Sequence, residues 1–324
     1  MNTIKLGVIL LAAITAQNSY AAQGATIAGQ PGQRLLPVWG GSISAIHTND
    51  AITVKTLVGE DGGRIRYTLN NGTLPSDWAY ATTPADFTGT VLGFDEYSSD
   101  LILACGRGGR VIYSTDQGRN WQNYGVPVLD PCGDPATLWD IEVLSDREVV
   151  AVGLWTAKRT KDGGASWVSV DLHDVGLTYN GAVVHQDEFH FYSLDSVSDG
   201  RTRQIVLSAQ WEPATGPTTG VVFYTDTDDA HQWTLKDGAY RTANGVPAAV
   251  PVMDEPWQVA FERGGQPKRA WGYVAGGPVD QQGSSTIYRT EDGGQKWTQD
   301  GYQTDSTIYG ITAEPVTGGH GAVG

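Results

Sequence analysis

The sequence predicts an all-β fold made of repeated four-stranded antiparallel units. Three observations lead to this prediction: a nine-residue motif that recurs along the chain, short runs of alternating apolar and polar residues between its copies, and a composition with 42 Gly and 11 Trp but only 2 Met. Abundant turn-forming and aromatic residues without long Leu/Ala/Glu runs are typical of many short strands. Repeated four-stranded sheets of this kind are the blades of a β-propeller.

The recurring motif has the pattern Ser/Thr-x-Asp-x-Gly-x-x-Trp. It reads "YSTDQGRNW" at 113–121, "RTKDGGASW" at 159–167 and "RTEDGGQKW" at 289–297. Two eroded copies end at Trp78 and Trp233. The five tryptophans lie 43, 46, 66 and 64 residues apart. This spacing indicates units of roughly 40–50 residues, two of them enlarged by loops.

The strand pattern places the motif in a turn of each unit. In the third unit, "LWDIEVLS" and "EVVAVGLW" are the first two strands, the third strand leads into the motif, and the fourth begins at its Trp. An Asp carboxylate can accept turn N–H groups, and Gly can adopt positive φ. The Trp can pack between units. A structural role is therefore favoured over the alternative, a ligand loop, for Asp116, Gly118, Trp121, Asp162, Gly164, Trp167, Trp233, Asp292, Gly294 and Trp297.

These motifs resemble the Asp-box (BNR) repeat of sialidase-like propellers. The stretch "VVAVGLWTAKRTKDGGASW" looks most like the photosystem II stability/assembly factor-like group, whose blades have a similar order of strands and box. The resemblance covers most of the chain after its leader and implies a single propeller domain. Asp boxes occur in enzymes and in binding proteins, so the resemblance predicts the fold more strongly than the function.

The five Trp anchors predict five blades, and the chain ends predict a sixth. Residues 24–38 and 307–324 are both strand-like, and their pairing in one sheet would close the ring and remove exposed sheet edges. Seven blades are the alternative, because the stretch 168–233 holds about five strand-like runs, more than one blade needs.

The first residues predict export. Residues 1–21 read as a cleaved signal peptide, with Lys5, a short apolar run and small residues before Ala21. Residues 22–324 are then the propeller, secreted or periplasmic and expected to be a monomer. No later run is apolar enough to insert in a membrane. The net charge of −15 argues against nucleic-acid partners and anionic membrane surfaces.

The two cysteines are predicted to form one disulfide. An even pair in an oxidising compartment favours a bond between Cys105 and Cys132. No motif for a metal, a phosphate or another cofactor is present, so no cofactor is expected.

One face of the predicted propeller carries the candidate site. The loops between second and third strands and between blades share this face. Aromatic planes beside acids are typical of sites for sugars or peptides. The candidate contact residues are Trp39, Trp139, Tyr179, Trp211, Trp257, Tyr309, Arg107 and Arg110; the candidate catalytic carboxylates are Asp140, Asp254 and Glu255.

The sequence favours a binding protein over an enzyme. The sialidase signature and arginine triad are missing, and Asp-box xyloglucan hydrolases use two propellers where this chain has room for one. A glycoside hydrolase would need two suitably separated carboxylates. The prediction is a non-enzymatic binding or assembly factor for a protein or peptide. The alternative is a carbohydrate-active propeller, either glycan-binding or hydrolytic, with a concave aromatic cluster and paired carboxylates.

Overall fold

The computed structural model confirms the all-β prediction. Apart from two short 3-10 turns at Asp61–Gly63 and Pro75–Asp77, the regular structure of the described residues consists of β-strands. No helical segment in this part of the chain has the length and apolarity needed to cross a membrane. The described residues are 43–49, 55–69, 75–98, 100–170, 178–179, 182–183, 188–198, 203–212, 219–227, 255–261, 269–277, 285–294, 296–304, 308 and 311.

The described strands form five antiparallel meanders in chain order. Sheet 1 has β1 (Ile43–Asn49), β2 (Lys55–Glu60), β3 (Ile65–Thr68) and β4 (Ala79–Tyr80); sheet 2 has β5 (Val91–Ser98), β6 (Leu101–Gly106), β7 (Val111–Ser114) and β8 (Gln122–Asn123). Sheet 3 has β9 (Leu138–Val143), β10 (Val149–Gly153), β11 (Thr156–Thr160) and β12 (Val168–Ser169). After the hairpin of β13 (Thr178–Tyr179) and β14 (Ala182–Val183), sheet 4 has β15 (Phe189–Ser198), β16 (Arg203–Trp211) and β17 (Thr219–Thr227); sheet 5 has β18 (Gln258–Phe261), β19 (Gly272–Ala275), β20 (Ser285–Thr290) and β21 (Thr298–Thr304).

Successive sheets pack side by side through their first strands. Each of β1, β5, β9 and β15 contacts the first strand of the next sheet, so we call these and β18 the inner strands. Apolar clusters fill the space between neighbouring sheets; one joins Leu57 and Ile65 of sheet 1 to Ile102 and Ile112 of sheet 2. This is the arrangement of propeller blades, in which each sheet buries its faces against its neighbours.

The excess of strand-like runs in the stretch 168–233 has a local explanation. The first of them forms the separate two-stranded hairpin β13–β14, and the next three form sheet 4. The predicted pairing of 24–38 with 307–324, Trp233 and the signal peptide fall outside the described residues, apart from Ile308 and Ile311. These two side chains pack on sheet 5. The sixth blade stays a prediction.

The complete motifs form the hairpins between third and fourth strands of sheets 2, 3 and 5, which confirms their predicted position. In sheet 2, Asp116 Oδ1 accepts hydrogen bonds from Ser114 Oγ (2.8 Å) and Asn120 N (2.9 Å). Ser114 Oγ in turn accepts Gly118 N at 2.9 Å. Asp162 and Asp292 make the same bonds in sheets 3 and 5. The repeated polar pattern of the motif therefore closes its own turn.

The glycine that all three complete motifs share meets two requirements at once. Gly118, Gly164 and Gly294 have φ of 82°, 81° and 95°, which side-chain-bearing residues rarely adopt. A Cβ at Gly118 would lie 2.5 Å from Leu57 Cδ2, and one at Gly294 would lie 2.7 Å from Val206 Cγ2. Since both contacts are with the preceding sheet, the turn also helps to seat one sheet on another.

The turn carboxylate should contribute to stability. We expect Asp292→Ala to lower the free energy of unfolding by about 1–2 kcal/mol, because it removes the acceptor for Thr290 Oγ1 and Lys296 N. The neighbouring Glu291 supplies the control: it is exposed and its only ion pair among the described residues, with Arg289, is 3.8 Å long. Glu291→Ala should change stability by less than about 0.5 kcal/mol in the same urea melts. Equal losses for the two variants would contradict this account.

Candidate functional site

One end of the molecule gathers the turns between second and third strands and the connections between sheets. Arg107 N in the turn of sheet 2 donates to Thr90 O at 3.0 Å, and Leu154 N in the turn of sheet 3 donates to Thr137 O at 3.1 Å. The motif hairpins lie at the opposite end, since each strand reverses direction. We call the first end the loop face and define it by residues 82–90, 107–110, 125–137 and 154–155, with the adjoining starts of the inner strands.

Three aromatic residues occupy equivalent positions where the inner strands begin. The pairing register skips Trp139 in β9 and Tyr192 in β15, so each is the extra residue of a β-bulge. Trp257 directly precedes the first paired residue of β18. A bulge changes the direction of a side chain relative to the regular strand. The fold therefore points one ring from each of three successive sheets toward a shared spot.

These rings stack into what we call the aromatic cluster, Trp139, Tyr192 and Trp257. The ring centroids of Trp139 and Tyr192 are 4.7 Å apart with an interplanar angle of 15°. Trp257 lies 5.7 Å from Trp139 and 4.4 Å from Tyr192. Tyr192 is buried, whereas both tryptophans remain partly exposed. Stacking at these distances makes the cluster a rigid apolar floor.

Trp155 extends this floor toward solvent. It lies in the turn between β10 and β11, and its ring makes an edge contact with His190 at 5.6 Å. His190 in turn meets the edge of Trp139 at 6.4 Å. The side chain of Trp155 is 42% exposed, and no ring of the described residues stacks parallel to it. One large aromatic face is therefore available for a ligand.

The backbone of Trp155 is strained. Its φ is +51°, in the left-handed region that a bulky residue seldom adopts. The adjoining Leu154 is held by a bridge to His190 and by its bond to Thr137, so the surrounding structure maintains the turn. Strain of this kind costs about 1–3 kcal/mol and persists most often where it serves binding or catalysis.

Carboxylates surround the aromatic floor. Glu255 Oε2 accepts the indole N–H of Trp257 at 3.1 Å, and Glu212 Oε2 lies 3.4 Å from His190 Nε2. Burial raises the pKa of the Tyr192 hydroxyl, and the negative charges of Glu255 and then Glu212 raise it further. Both charges thus act on the same buried ring. The site combines apolar surface with negative potential.

Asp140, the first candidate catalytic carboxylate, has its oxygens engaged within the fold. Its Oδ2 accepts Ser193 Oγ at 2.7 Å and Leu194 N at 3.1 Å, both from the inner strand of sheet 4. Its Oδ1 accepts its neighbour Ile141 N at 2.9 Å. Ser193, the residue after the bulge in sheet 4, also bonds to the next sheet: its Oγ accepts Val259 N of sheet 5 at 3.4 Å. Asp140 therefore joins two sheets.

A second row of acids, further along the inner strands, also accepts hydrogen bonds from the neighbouring sheet. Asp95 Oδ2 accepts Val143 N at 2.6 Å, and Asp195 Oδ2 accepts Phe261 N at 2.6 Å. At the equivalent position of sheet 3, Glu142 accepts Ser196 Oγ. Each acid receives its bond from the next sheet in the chain. The inner strands are thus tied together by a ladder of carboxylates.

The ladder holds its acids in surroundings that disfavour their charged forms. Burial raises the pKa of Asp140 to about 7; the bonds from Ser193, Ile141 and Leu194 oppose this shift, and the charge of Asp95 adds to it. The pKa values of Glu142 and Asp195 are also raised, in both cases chiefly by burial. Desolvation outweighs hydrogen bonding at Asp140, as expected when like charges share a poorly solvated site.

The other predicted contact residues differ in their burial and in their partners. Trp211 is buried at the end of β16, and its indole N–H donates to Glu188 Oε2 at 2.9 Å; it offers little surface. Arg110 pairs with Asp86 at 2.7 Å, while Arg107 is exposed on the loop face. Tyr179 lies in β13. Three further candidates fall outside the described residues: Trp39, Asp254 and Tyr309.

The predicted Cys105–Cys132 disulfide is not formed in the structure, where both thiols are free. Cys105 lies in β6 with its side chain inside the apolar layer between sheets 2 and 3, and Sγ faces Leu138 O at 3.9 Å. Cys132 is exposed in the connecting turn, where its N–H donates to Asp130. The strand direction turns Cys105 inward, away from the loop that carries Cys132. Burial raises the pKa of the Cys105 thiol, and the charge of Asp140 adds to this.

Sequence reasoning missed Trp155, His190 and Tyr192. A signal for Tyr192 exists: when the inner strands are aligned on their bulges, "WDIEV", "YSLDS" and "WQVAF" place an aromatic residue at the same position of three successive sheets. No such signal exists for Trp155. Leu-Trp is not one of the dipeptides, such as Asn-Gly, that predict a tight hairpin turn. No group of three metal-ligating side chains occurs within the described ranges.

Comparisons with known proteins return solved structures only. No protein-family model matches this chain, and no curated protein matches it. An ancestral GH74 enzyme has a TM-score of 0.49 and 12% identity over 82% of this chain. YCF48 bound to a D1 peptide has a TM-score of 0.36 and 15% identity, with 81% of this chain and 82% of that chain covered. YCF48 from Cyanidioschyzon merolae has a TM-score of 0.35 and 16% identity, with 81% and 85% covered. The chain spans about a third of the GH74 enzyme, 32% of its length.

Proposed function

We propose that this protein is an exported, monomeric propeller of six blades that binds a peptide segment of another protein on its loop face without catalysing a reaction. The observation that carries the proposal is Trp155, a strained and exposed ring above a rigid aromatic cluster. Trp155 keeps this conformation although 42% of its side chain stays exposed, so packing of the ring accounts for the strain only in part. Binding of a partner to the exposed part of the ring would explain why the strained conformation is kept.

The state of the acids favours binding over hydrolysis. A glycoside hydrolase needs one carboxyl group free to protonate the leaving oxygen and a second to act as base or nucleophile. Asp140 uses both oxygens to join sheets 3 and 4 and to hold its own backbone, and equivalent residues of other sheets do similar work. The raised pKa of Asp140 is therefore explained by the fold. Asp140 is therefore not free to act with Glu255 as the pair of carboxylates that a glycoside hydrolase requires.

The proposal is tested by exchanging Trp155 for glycine. Trp155→Gly removes the exposed ring and relieves the left-handed strain, so we expect the free energy of unfolding to stay within about 1 kcal/mol of the parent or to rise. Peptides selected from a random peptide array by the parent protein should bind the variant at least about tenfold more weakly, a difference of about 1.4 kcal/mol.

The control is Tyr97→Ala, which removes a ring of similar exposure, 51%, at the end of β5 near the motif hairpins. It should leave peptide binding unchanged. A glycan array is probed in parallel. Glycan signals that depend on Trp155, in the absence of any peptide signal, would replace the peptide proposal with the carbohydrate-binding one. Peptide binding that survives in Trp155→Gly would place the site elsewhere.

A further inference from the structure

The loop face has the features of a cation site. Trp155 lies at the rim, and no ring of the described residues stacks on it. Trp139 and Trp257 form the floor, with Glu255 beside Trp257 and Glu212 beside His190, whose ring meets the edge of Trp139. A ring face carries negative electrostatic potential that attracts cations, and tryptophan attracts them most strongly among the side chains. Carboxylates beside such rings add direct Coulomb attraction.

The two glutamates have no lysine or arginine partner inside the described part of the chain. Glu212 lies near His190, and Glu255 accepts an indole N–H, but neither forms an ion pair with a lysine or arginine of the described residues. Elsewhere the same part of the molecule does pair its acids, as in Glu148 with Arg159 and Glu60 with Arg66. Negative charge that no lysine or arginine of the described ranges compensates favours a positively charged ligand.

The overall charge acts in the same direction. The chain carries a formal net charge of −15, which attracts cations over distances of about a Debye length, roughly 8 Å at physiological salt. A neutral sugar would gain nothing from this field, and a sugar acid would be repelled by it. An acidic peptide would be repelled by it.

We infer that the group held at this site is the guanidinium or ammonium of an arginine or lysine side chain in the bound peptide, placed against Trp155 and between the carboxylates of Glu212 and Glu255. This inference rests on the peptide-binding function proposed above and specifies the residue that is recognised. Arginine suits the site well, because its planar guanidinium stacks on aromatic rings and can bond a carboxylate with two N–H groups.

The test compares charged and uncharged side chains of the same shape. The probes are blocked pentapeptides with a central arginine, lysine, citrulline or acetyl-lysine between glycines, together with cellohexaose. Binding is followed by the NMR shifts of the indole N–H groups during titration. We expect arginine and lysine peptides to shift the Trp155 and Trp257 signals, and their uncharged counterparts to bind about tenfold more weakly, the scale of a cation–π contact.

Two conservative variants test the acids. Glu212→Gln and Glu255→Gln keep the side-chain shape, and the glutamine carbonyl at 255 can still accept the Trp257 indole N–H. Each should weaken the arginine peptide about three- to tenfold. Asp100→Asn removes an exposed carboxylate at the β5–β6 turn on the opposite face and should change nothing. Raising the salt concentration should weaken arginine binding and leave citrulline binding unchanged.

Each outcome separates the two proposals. Equal binding of arginine and citrulline peptides, lost in Trp155→Gly, overturns the cation inference and leaves peptide binding standing. Unchanged arginine affinity in both glutamine variants also overturns it. Binding of cellohexaose but of no pentapeptide overturns both proposals. A parent protein that binds none of the pentapeptides, while still binding array-selected peptides through Trp155, overturns the cation inference alone.

Discussion

Trp297→Ala is expected to lower the free energy of unfolding by about 3–5 kcal/mol, the usual loss for a large aromatic residue removed from a core. Trp297 ends the motif of sheet 5 and is 7% exposed. It packs among Val206, Val222 and Phe261, so its ring fills the space between sheets 4 and 5. Its indole N–H also donates to Gly294 O at 3.0 Å, which ties the ring to its own turn.

The matched variant is Trp167→Ala in the same motif of sheet 3. Trp167 is only half-buried, and its indole N–H reaches Val126 O at 3.2 Å in place of the glycine carbonyl of its own turn. Because less apolar surface leaves water, its loss should cost about 1–2 kcal/mol. Urea melts with equal m-values give both numbers. Peptide binding through Trp155 should survive in both variants. Equal losses at the two positions would show that burial does not set the contribution of the motif.

The second large effect concerns pH. The parent protein should lose stability relative to Asp140→Asn as the pH rises from about 4 to about 7, by up to about 4 kcal/mol, since each pKa unit corresponds to about 1.4 kcal/mol. Below pH about 4 the carboxyl is protonated in both the folded and unfolded states. Above it the unfolded chain ionises, while burial holds the pKa of folded Asp140 near about 7. The folded state binds the proton more tightly, so stability falls with rising pH in this window.

Asparagine suits this comparison because its carbonyl oxygen can still accept Ser193 Oγ and Leu194 N. The variant therefore keeps the contact between sheets 3 and 4 and removes the titration. Subtracting its unfolding curve from that of the parent at each pH cancels carboxylates that do not interact with Asp140, such as Asp162, whose pKa is lowered by its turn hydrogen bonds. The response of Glu142 and Asp195, whose pKa values the charge of Asp140 raises, stays within the measured difference. A difference that is constant with pH would show that Asp140 is ionised or solvated in the folded protein.

Local chemistry made much of the fold predictable. The position of the motif in the third-to-fourth hairpin followed from Asp, Gly and Trp at set spacing, since turn geometry depends on a few adjacent residues. The four-stranded units followed from alternation along strands such as "STIYRT" of β20 and from short apolar runs such as "VVAVG" of β10. The role of the motif in seating one sheet on the next could not be predicted. No sequence pattern shows that Gly118 and Gly294 lie against the preceding sheet.

The candidate site was predictable in part. Trp139, Trp257, Glu255 and Asp140 were chosen because they are aromatic or acidic residues near predicted loops, and the structure brings the first three together. The hydrogen-bond partners of Asp140, Ser193 and Leu194, lie more than fifty residues away in the chain, and no sequence pattern indicates them. Cys105 was assigned to a loop disulfide, but the structure places it in the core between sheets 2 and 3.

The sequence by itself determined the all-β class, the repeated units and the turns that the motifs close, because these depend on side-chain periodicity and on the conformations open to a few neighbouring residues. The tertiary structure alone decided which residues meet at the loop face. The bulges at Trp139 and Tyr192, the left-handed turn at Trp155 and the register between inner strands arise from the packing of one sheet on the next. That packing joins residues far apart in the chain, so no local pattern could specify the aromatic cluster or the ladder of carboxylates beside it.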